Sequence, residues 1–299
     1  MKKLISVVGT TGIGKTKLAI ELAKHYKTEI ISCDSRQFFK EMPIGTAAPS
    51  VEELSEVTHH FIGHLSVSDY YSIGQFEEDA LSRLKILFEK YDTVIMVGGS
   101  MMYEKAVVRG LHDLPEAHAE NQEKLQKIWD EQGLEALQKL LKELDPDYYN
   151  VVHLENPRRL LRAIDVIWQT GEPYSKLIAK PQQPRFFEFV RIGIEAPRDV
   201  IYERINQRVL KMMDAGLLNE VKTLTAFRGL PSLNTVGYTE IFKYLDGEWD
   251  LDFAVSEIQK NSRRFAKRQL TWYRKEEDIN WVSYNNSLEE SLSLLKNII

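Results

Sequence analysis

The run LISVV at residues 4–8 leads straight into GTTGIGKT at residues 9–16. A short, β-rich and almost wholly apolar run suits a strand buried on both faces of a parallel sheet. The octapeptide fits G-x-x-x-x-G-K-[ST], a loop whose backbone N–H groups point inward to hold phosphate oxygens. In that loop Gly9, Gly12 and Gly14 permit close approach, with Thr10, Thr11 and Ile13 between them. Lys15 supplies a point charge, and Thr16 is placed to ligate Mg2+. By motif alone the loop reads equally as an ATP site. A strand, a phosphate loop and a helix in series demand further parallel strands around them.

Those strands are visible. TEIISCDS ends a second at Asp34, DTVIMVGGS a third at Gly98-Gly99-Ser100, and FEFVRIGIEA spans a fourth at 187–196. Helical patterns separate them; the first, TKLAIELAKHY, spaces Leu18, Ala19 and Leu22 on one face. From Gly110 to about Phe186 the strand pattern stops, and Leu125, Ile128, Trp129, Leu137, Leu140, Leu141 and Leu144 recur at helical spacing, punctuated by Asp145-Pro146. A further helix is bracketed by Asn156 as N-cap, Pro157 at its first position and Gly171 past its end. It sets Leu160, Leu161, Ile164, Ile167 and Trp168 on one side, with Arg158 and Arg162 roughly opposite. KPQQPRF at 180–186 reads as the return linker, and beyond residue 197 the chain reads mostly as amphipathic helix. The expected fold is α/β: a doubly wound parallel P-loop sheet with an inserted all-helical domain and a helical C-terminal part. The expected boundaries are 1–112 with 187–299 for the core and 113–186 for the insertion.

Bulk properties narrow the partners. With 43% hydrophobic and 28% charged residues this reads as a soluble globular chain. The net charge of −5 argues against coating nucleic acid with the whole surface. The single cysteine, Cys33, excludes an intrachain disulfide and suits a reducing compartment. No segment approaches the roughly 20 apolar residues that span a bilayer. A cytoplasmic monomer is expected.

Three features bear on chemistry. Asp34 stands where a strand should end, facing the loop's crevice; it can act as a base, or simply cap a turn. The third strand ends in neutral Gly-Gly-Ser, where an ATPase usually carries an acidic residue. RRFAKRQLTWYRK at 263–275 holds six basic residues and no acidic one. On a helix Arg263, Arg264, Lys267, Arg268, Thr271 and Arg274 share an arc of roughly 140°, suited to nucleic acid or diphosphate. His59, His60 and His64 lack a cysteine or placed carboxylate to complete a metal site, and read as core or hydrogen-bonding histidines.

Taken together the motifs resemble the bacterial tRNA dimethylallyltransferases, or tRNA isopentenyltransferases. They are GTTGIGKT, DSRQFF (34–39), MPIGTAAP (42–49), THHFIG (58–63), YSIGQF (71–76) and GGSMMY (98–103). NPRRLLRAIDVIWQTG (156–171), RVLKMMDAGLLNEV (208–221), TVGYTE (235–240) and RFAKRQLTWYR (264–274) complete the ordered set. The resemblance implies transfer of a dimethylallyl group from dimethylallyl diphosphate to the N6 amine of the adenosine 3′ of the anticodon, with Mg2+. On that reading residues 9–16 and Arg264 hold diphosphate, Asp34 is the base, and Ser100 and Lys15 assist. It assigns tRNA contact to Asp34, Ser35, Arg36, Gln37, Ser100, Arg158, Arg159, Leu160, Leu161 and Arg162. Val236, Gly237, Tyr238, Lys267, Arg268, Gln269, Thr271, Trp272 and Arg274 join them. Departures are Ser100 for the usual threonine, Phe38-Phe39 for the commoner Val-Tyr or Leu-Tyr, Thr239 at an often basic position, and Gln122 where an arginine is expected. With Cys33 as the single cysteine, the zinc-finger extension of eukaryotic relatives is not expected. Competing expectations are a P-loop kinase, a prenyltransferase of free nucleotide, and a nucleotide-switched RNA-binding protein.

Overall fold

A computed structural model describes residues 2–298. Six strands form one parallel sheet: β1 (Lys3–Gly9), β2 (Ile30–Ser32), β3 (His59–His60), β4 (Thr93–Val97), β5 (Glu188–Glu195) and β6 (Ile279–Ser283). Their order is β3-β2-β4-β1-β5-β6, so β1 and its loop lie at the centre. Alternation along β1 divides the core. Ile5 and Val7 pack with Leu18, Ala19 and Leu22 of α1 (Lys15–Tyr26) and with Ile201 and Ile205. Leu4 instead faces Phe76, Ala80 and Leu84 of α3 (Ile73–Lys90), which follows the short α2 (Val51–Glu56). Helices on both faces of a parallel sheet make the architecture doubly wound.

Two strands differ from expectation. β3 has only two residues, His59-His60, too short and too polar to carry a strand pattern. β6 is an edge strand with only Ile279 and Val282 fully buried, so no apolar run marks it in a stretch expected to be helical. The other C-terminal elements are helices: α10 (Arg198–Asp214), α11 (Leu217–Thr223), α12 (Tyr238–Leu245), α13 (Leu251–Tyr273) and α14 (Ser287–Leu295).

Residues up to Val108 and from Arg185 form one compact unit, and Arg109–Pro184 form a second. The first junction lies at the end of α4 (Met101–Arg109). Arg185 belongs with the core because its guanidinium donates to the carbonyls of Ala106 and Val107 and pairs with Glu77. The second unit contains α5 (Ala119–Gln132), α6 (Leu134–Leu144), α7 (Pro146–Tyr149), α8 (Pro157–Thr170) and α9 (Tyr174–Ala179). Its own core gathers Leu125, Leu137, Leu141, Leu160, Ile164 and Ile167. The Asp145-Pro146 signal becomes a buried cap: the Asp145 carboxylate accepts from Tyr148 N, Ser175 N and Ser175 Oγ at 2.7–3.0 Å. Gly171 ends α8 in the left-handed region at φ 72°, as its position predicts. Asn156 stands at the N-cap without a side-chain cap bond, and Trp168 is 37% exposed rather than packed.

α13 crosses the carboxyl edge of the sheet. Ala266 packs in the α1 and α10 cluster, while Tyr273 meets Val8 and Ile279 in another cluster. The stretch between them passes directly over the phosphate loop.

Candidate active site

β1 ends in Gly9, and the chain turns through Gly12 (φ 78°) and Gly14 (φ 109°) before α1 begins at Lys15. Both angles lie where only glycine sits without strain. The first amides of α1 therefore open toward a cavity of about 290 Å³, lined by Thr11, Gly12, Gly14, Lys15 and Thr16. Gly9, Thr10 and Ile13 lie beneath it: Ile13 is in the core, and a Cβ on Gly9 would come within 3.1 Å of the Ile194 carbonyl oxygen. Lys15 Nζ donates to the Thr10 carbonyl at 2.8 Å. Burial lowers the Lys15 pKa to about 8; Asp34 acts against that shift, while Arg208 adds to it.

Asp34 follows β2 on the opposite wall. Its Oδ1 accepts the Arg36 amide and its Oδ2 the Gly99 amide, each at 3.2 Å. Each oxygen keeps a further lone pair. β4 ends in glycine for a steric reason, since a Cβ on Gly98 would meet the Cys33 carbonyl carbon at 2.5 Å. Ser100 Oγ accepts the Ser35 amide and touches Ser35 Oγ, both at 2.9 Å. Gln37 donates through Nε2 to the Ala47 carbonyl at 3.0 Å, which turns its Oε1 away from that strap. The strap, residues 42–49, is pinned by Glu220: its carboxylate accepts from Ile44 N, Gly45 N and Tyr238 Oη at 2.6–2.8 Å.

Several of the expected residues lie away from the crevice or are engaged inside the protein. Arg264 is exposed, donates to Asn261 Oδ1 at 3.4 Å, and does not line the crevice. The arginine that does line it is Arg208 of α10, whose guanidinium pKa burial pulls down while the facing Asp34 pulls it up. A sequence signal existed, because Arg208 falls at helical spacing within the buried stripe Ile201, Ile205 and Met212. Gln269, expected at the RNA, is fully buried and hydrogen-bonded inside the protein. Tyr238 is fully buried against Glu220 and Gly45. Leu160 and Leu161 are core residues of the helical unit, so no side-chain contact with a ligand is open to them. Arg162 is engaged locally, donating to the Pro115 carbonyl and to Asp165. Arg36 reaches the carbonyls of Ser232 at 2.9 Å and Pro231 at 3.2 Å, which ties DSRQ to the turn before Val236 and Gly237.

Other expected residues face solvent. Arg158 and Arg159 are exposed on α8. On α13, Lys267, Arg268, Thr271 and Trp272, with Lys275, line a surface hollow of about 260 Å³, and Arg274 is exposed beside it. Arg263 lies apart, donating to Asn206 Oδ1 at 2.6 Å. Among the histidines, His60 Nε2 is 2.6 Å from Glu29, His59 Nδ1 is 2.8 Å from the Val57 carbonyl, and His64 packs edge-on against Phe38. Among the described residues no group of three His, Cys, Asp or Glu side chains is placed to hold a metal.

A glycine-rich loop at the central strand of a parallel sheet, facing a carboxylate across one crevice, defines an α/β protein of the P-loop architecture. The profile of the family described as IPP transferase matches residues 37–276, and the chain belongs to that family. The tRNA dimethylallyltransferase of Christiangramia forsetii is 49% identical, over 95% of this chain and 94% of its own. Number 1 of Bacteroides fragilis is 47% identical, over 99% and 98%. Among solved structures, the tRNA isopentenylpyrophosphate transferase of Bacillus halodurans superposes at TM-score 0.72 with 34% identity, covering 100% of this chain and 95% of that one. A eukaryotic dimethylallyltransferase, described as acting on tRNA, shares the fold at TM-score 0.86 and 22% identity, covering 99% and 79%.

Proposed function

We propose that the protein transfers a dimethylallyl group from dimethylallyl diphosphate to the N6 amine of the adenosine 3′ of the anticodon in tRNA. The observation that carries this reading is one crevice holding an open carboxylate, Asp34, opposite a phosphate loop flanked by Lys15 and Arg208, in a chain of the IPP transferase family. The amine lone pair attacks the allylic carbon, and the carbon–oxygen bond breaks with its electrons leaving on diphosphate. Asp34 accepts the amine proton through a lone pair that its amide partners leave open. Charge developing on the leaving oxygens meets the loop amides, the start of α1, Lys15 and Arg208. Magnesium fits as an ion shared with the diphosphate: Thr16 and Asp34 offer hard oxygens on the cavity wall, and no all-protein cage is needed. Thr16 would hold it, and it would supply charge neutralisation to the leaving group. Gln37 lines the acceptor side, where a base extruded from the anticodon loop is to be received, and the hydrogen-bonded pair Ser35 and Ser100 adjoins the lining residues Asp34 and Gly99 in the chain. The exposed arginines of α8 and the basic hollow of α13 are suited to RNA phosphates. The protein would act as a cytoplasmic monomer.

The test offers labelled dimethylallyl diphosphate with unmodified tRNA, with AMP, and with no acceptor, each with and without Mg2+. Label is expected in tRNA alone and only with metal. Label in AMP would reassign the acceptor, and release of the γ-phosphate from ATP in its place would overturn the reaction.

A further inference from the structure

Gln269 sits on the buried side of α13, roughly opposite Lys267 and Thr271 on the helical wheel. Its Oε1 accepts the Thr11 amide of the phosphate loop at 2.8 Å. Its Nε2 donates to the Gly99 carbonyl at 2.8 Å. The Gly99 amide in turn supports Asp34 Oδ2 at 3.2 Å. A Cβ on Gly99 would lie 3.0 Å from both Asp34 Oδ2 and Gln269 Nε2, so these groups are packed without slack. One amide side chain thus joins the loop after β1 to the loop after β4. It has no hydroxyl or charge to contribute to chemistry, and although it borders the crevice its side chain is fully buried with both polar atoms engaged. A helix interior has no reason to bury an amide here other than these two bonds, since an unsatisfied one costs about 1–3 kcal/mol.

We propose that Gln269 is a positioning residue, a strut that fixes the gap between the phosphate cradle and the carboxylate and ties both to the helix bearing the basic hollow. This rests on the reading above for what the two walls hold. Reacting atoms must approach to about 3–3.5 Å in line, so a wall that drifts by an ångström costs on the order of a hundredfold in rate. The strut acts on turnover more than on substrate capture.

Two variants of the full chain test it. Gln269→Met keeps the volume and removes both bonds. Gln269→Glu keeps the acceptor toward Thr11, sets a second oxygen against the Gly99 carbonyl, and adds a carboxylate beside Asp34. For Gln269→Met, kcat is expected to fall roughly 30- to 300-fold, with the KM for tRNA within about twofold. Faster amide exchange is expected in the Gly9–Thr16 loop of the ligand-free protein. For Gln269→Glu the same direction of change in kcat and loop exchange is expected, because the second oxygen cannot donate to the Gly99 carbonyl. A rise in KM for tRNA at unchanged kcat would make Gln269 an RNA contact and overturn the proposal. So would wild-type kcat and wild-type loop exchange in both variants. Loop exchange needs no substrate: a wild-type protein that transfers no label would sink the proposed reaction, and the exchange comparison would still decide whether the strut exists.

Discussion

At the residue scale the crevice is an electrostatic balance among Lys15, Arg208 and Asp34. Burial brings the Lys15 pKa down to about 8 in the ligand-free protein. Below that pH the ammonium is charged; above it the proton is progressively lost, and an arriving diphosphate restores it. Calorimetry of pyrophosphate binding in two buffers of different ionisation enthalpy should therefore show proton uptake near pH 9 that is absent near pH 7. Subtracting the Lys15→Met result isolates the side chain. Unfolding also takes up this proton, because the unfolded chain holds it up to about 10.5, so between about 8 and 10.5 stability rises with pH while pyrophosphate affinity falls. Arg208→Met should weaken pyrophosphate binding by about 10- to 100-fold, the loss of a charge-assisted bond, as the same titration reads. Asp34→Asn keeps the shape and removes the proposed base, so turnover should drop by about two to four orders of magnitude while pyrophosphate affinity stays within severalfold. Equal loss in both would remove Asp34 from the chemistry.

At the scale of elements, what holds α4, β5 and the end of α13 in register is a buried ion cluster. Arg191 of β5 is fully buried. It donates to both oxygens of Glu104 on α4 at 2.8 and 3.0 Å, and to Glu276 and Asp278 beyond α13 at 3.0 and 2.9 Å. Ser6 of β1 donates to Glu104 at 2.9 Å. Burial pushes the Glu104 pKa up, and Arg191 works against that rise. Removing one partner strands a buried charge, so Arg191→Met should destabilise the protein by about 3–5 kcal/mol in denaturant titration. The double variant Arg191→Met with Glu104→Leu should recover most of that loss. If the double variant were worse than the single, the cluster would owe its role to more than mutual compensation. None of this was visible in FEFVRIGIEA, where Arg191 interrupts an apolar strand with no local partner to explain it. Arg208 in α10 and Gln269 in α13 are the same kind of signal: a polar side chain set in a buried stripe.

For the whole molecule, the two compact units keep separate cores. Each buries its own leucines and isoleucines, worth about 1.5–3 kcal/mol apiece when fully buried. Replacing Arg109–Pro184 by a short flexible linker should leave a cooperatively folding core that still binds pyrophosphate. Transfer to tRNA should fall by at least about a hundredfold through the KM for RNA. Retained tRNA KM would move RNA recognition entirely onto α13. Among the described residues no helix is long and apolar enough to cross a membrane.

The sequence alone determined those features whose causes lie within a few residues: the phosphate loop with its left-handed glycines, the strand end at Asp34, the bracketed α8, and the break in strand pattern that marks the second unit. Local periodicity, capping and turn chemistry suffice for these because each is decided by near neighbours. Tertiary structure alone decided which arginine lines the crevice, which glutamine bonds two loops at once, and that His59-His60 and Ile279–Ser283 complete the sheet. Gln269 meets Thr11 across 258 positions, and Glu220 meets Ile44 across 176. A hydrogen bond over such a distance in the chain leaves no periodic trace; only the closing of the sheet and the passage of α13 over its edge bring the partners together.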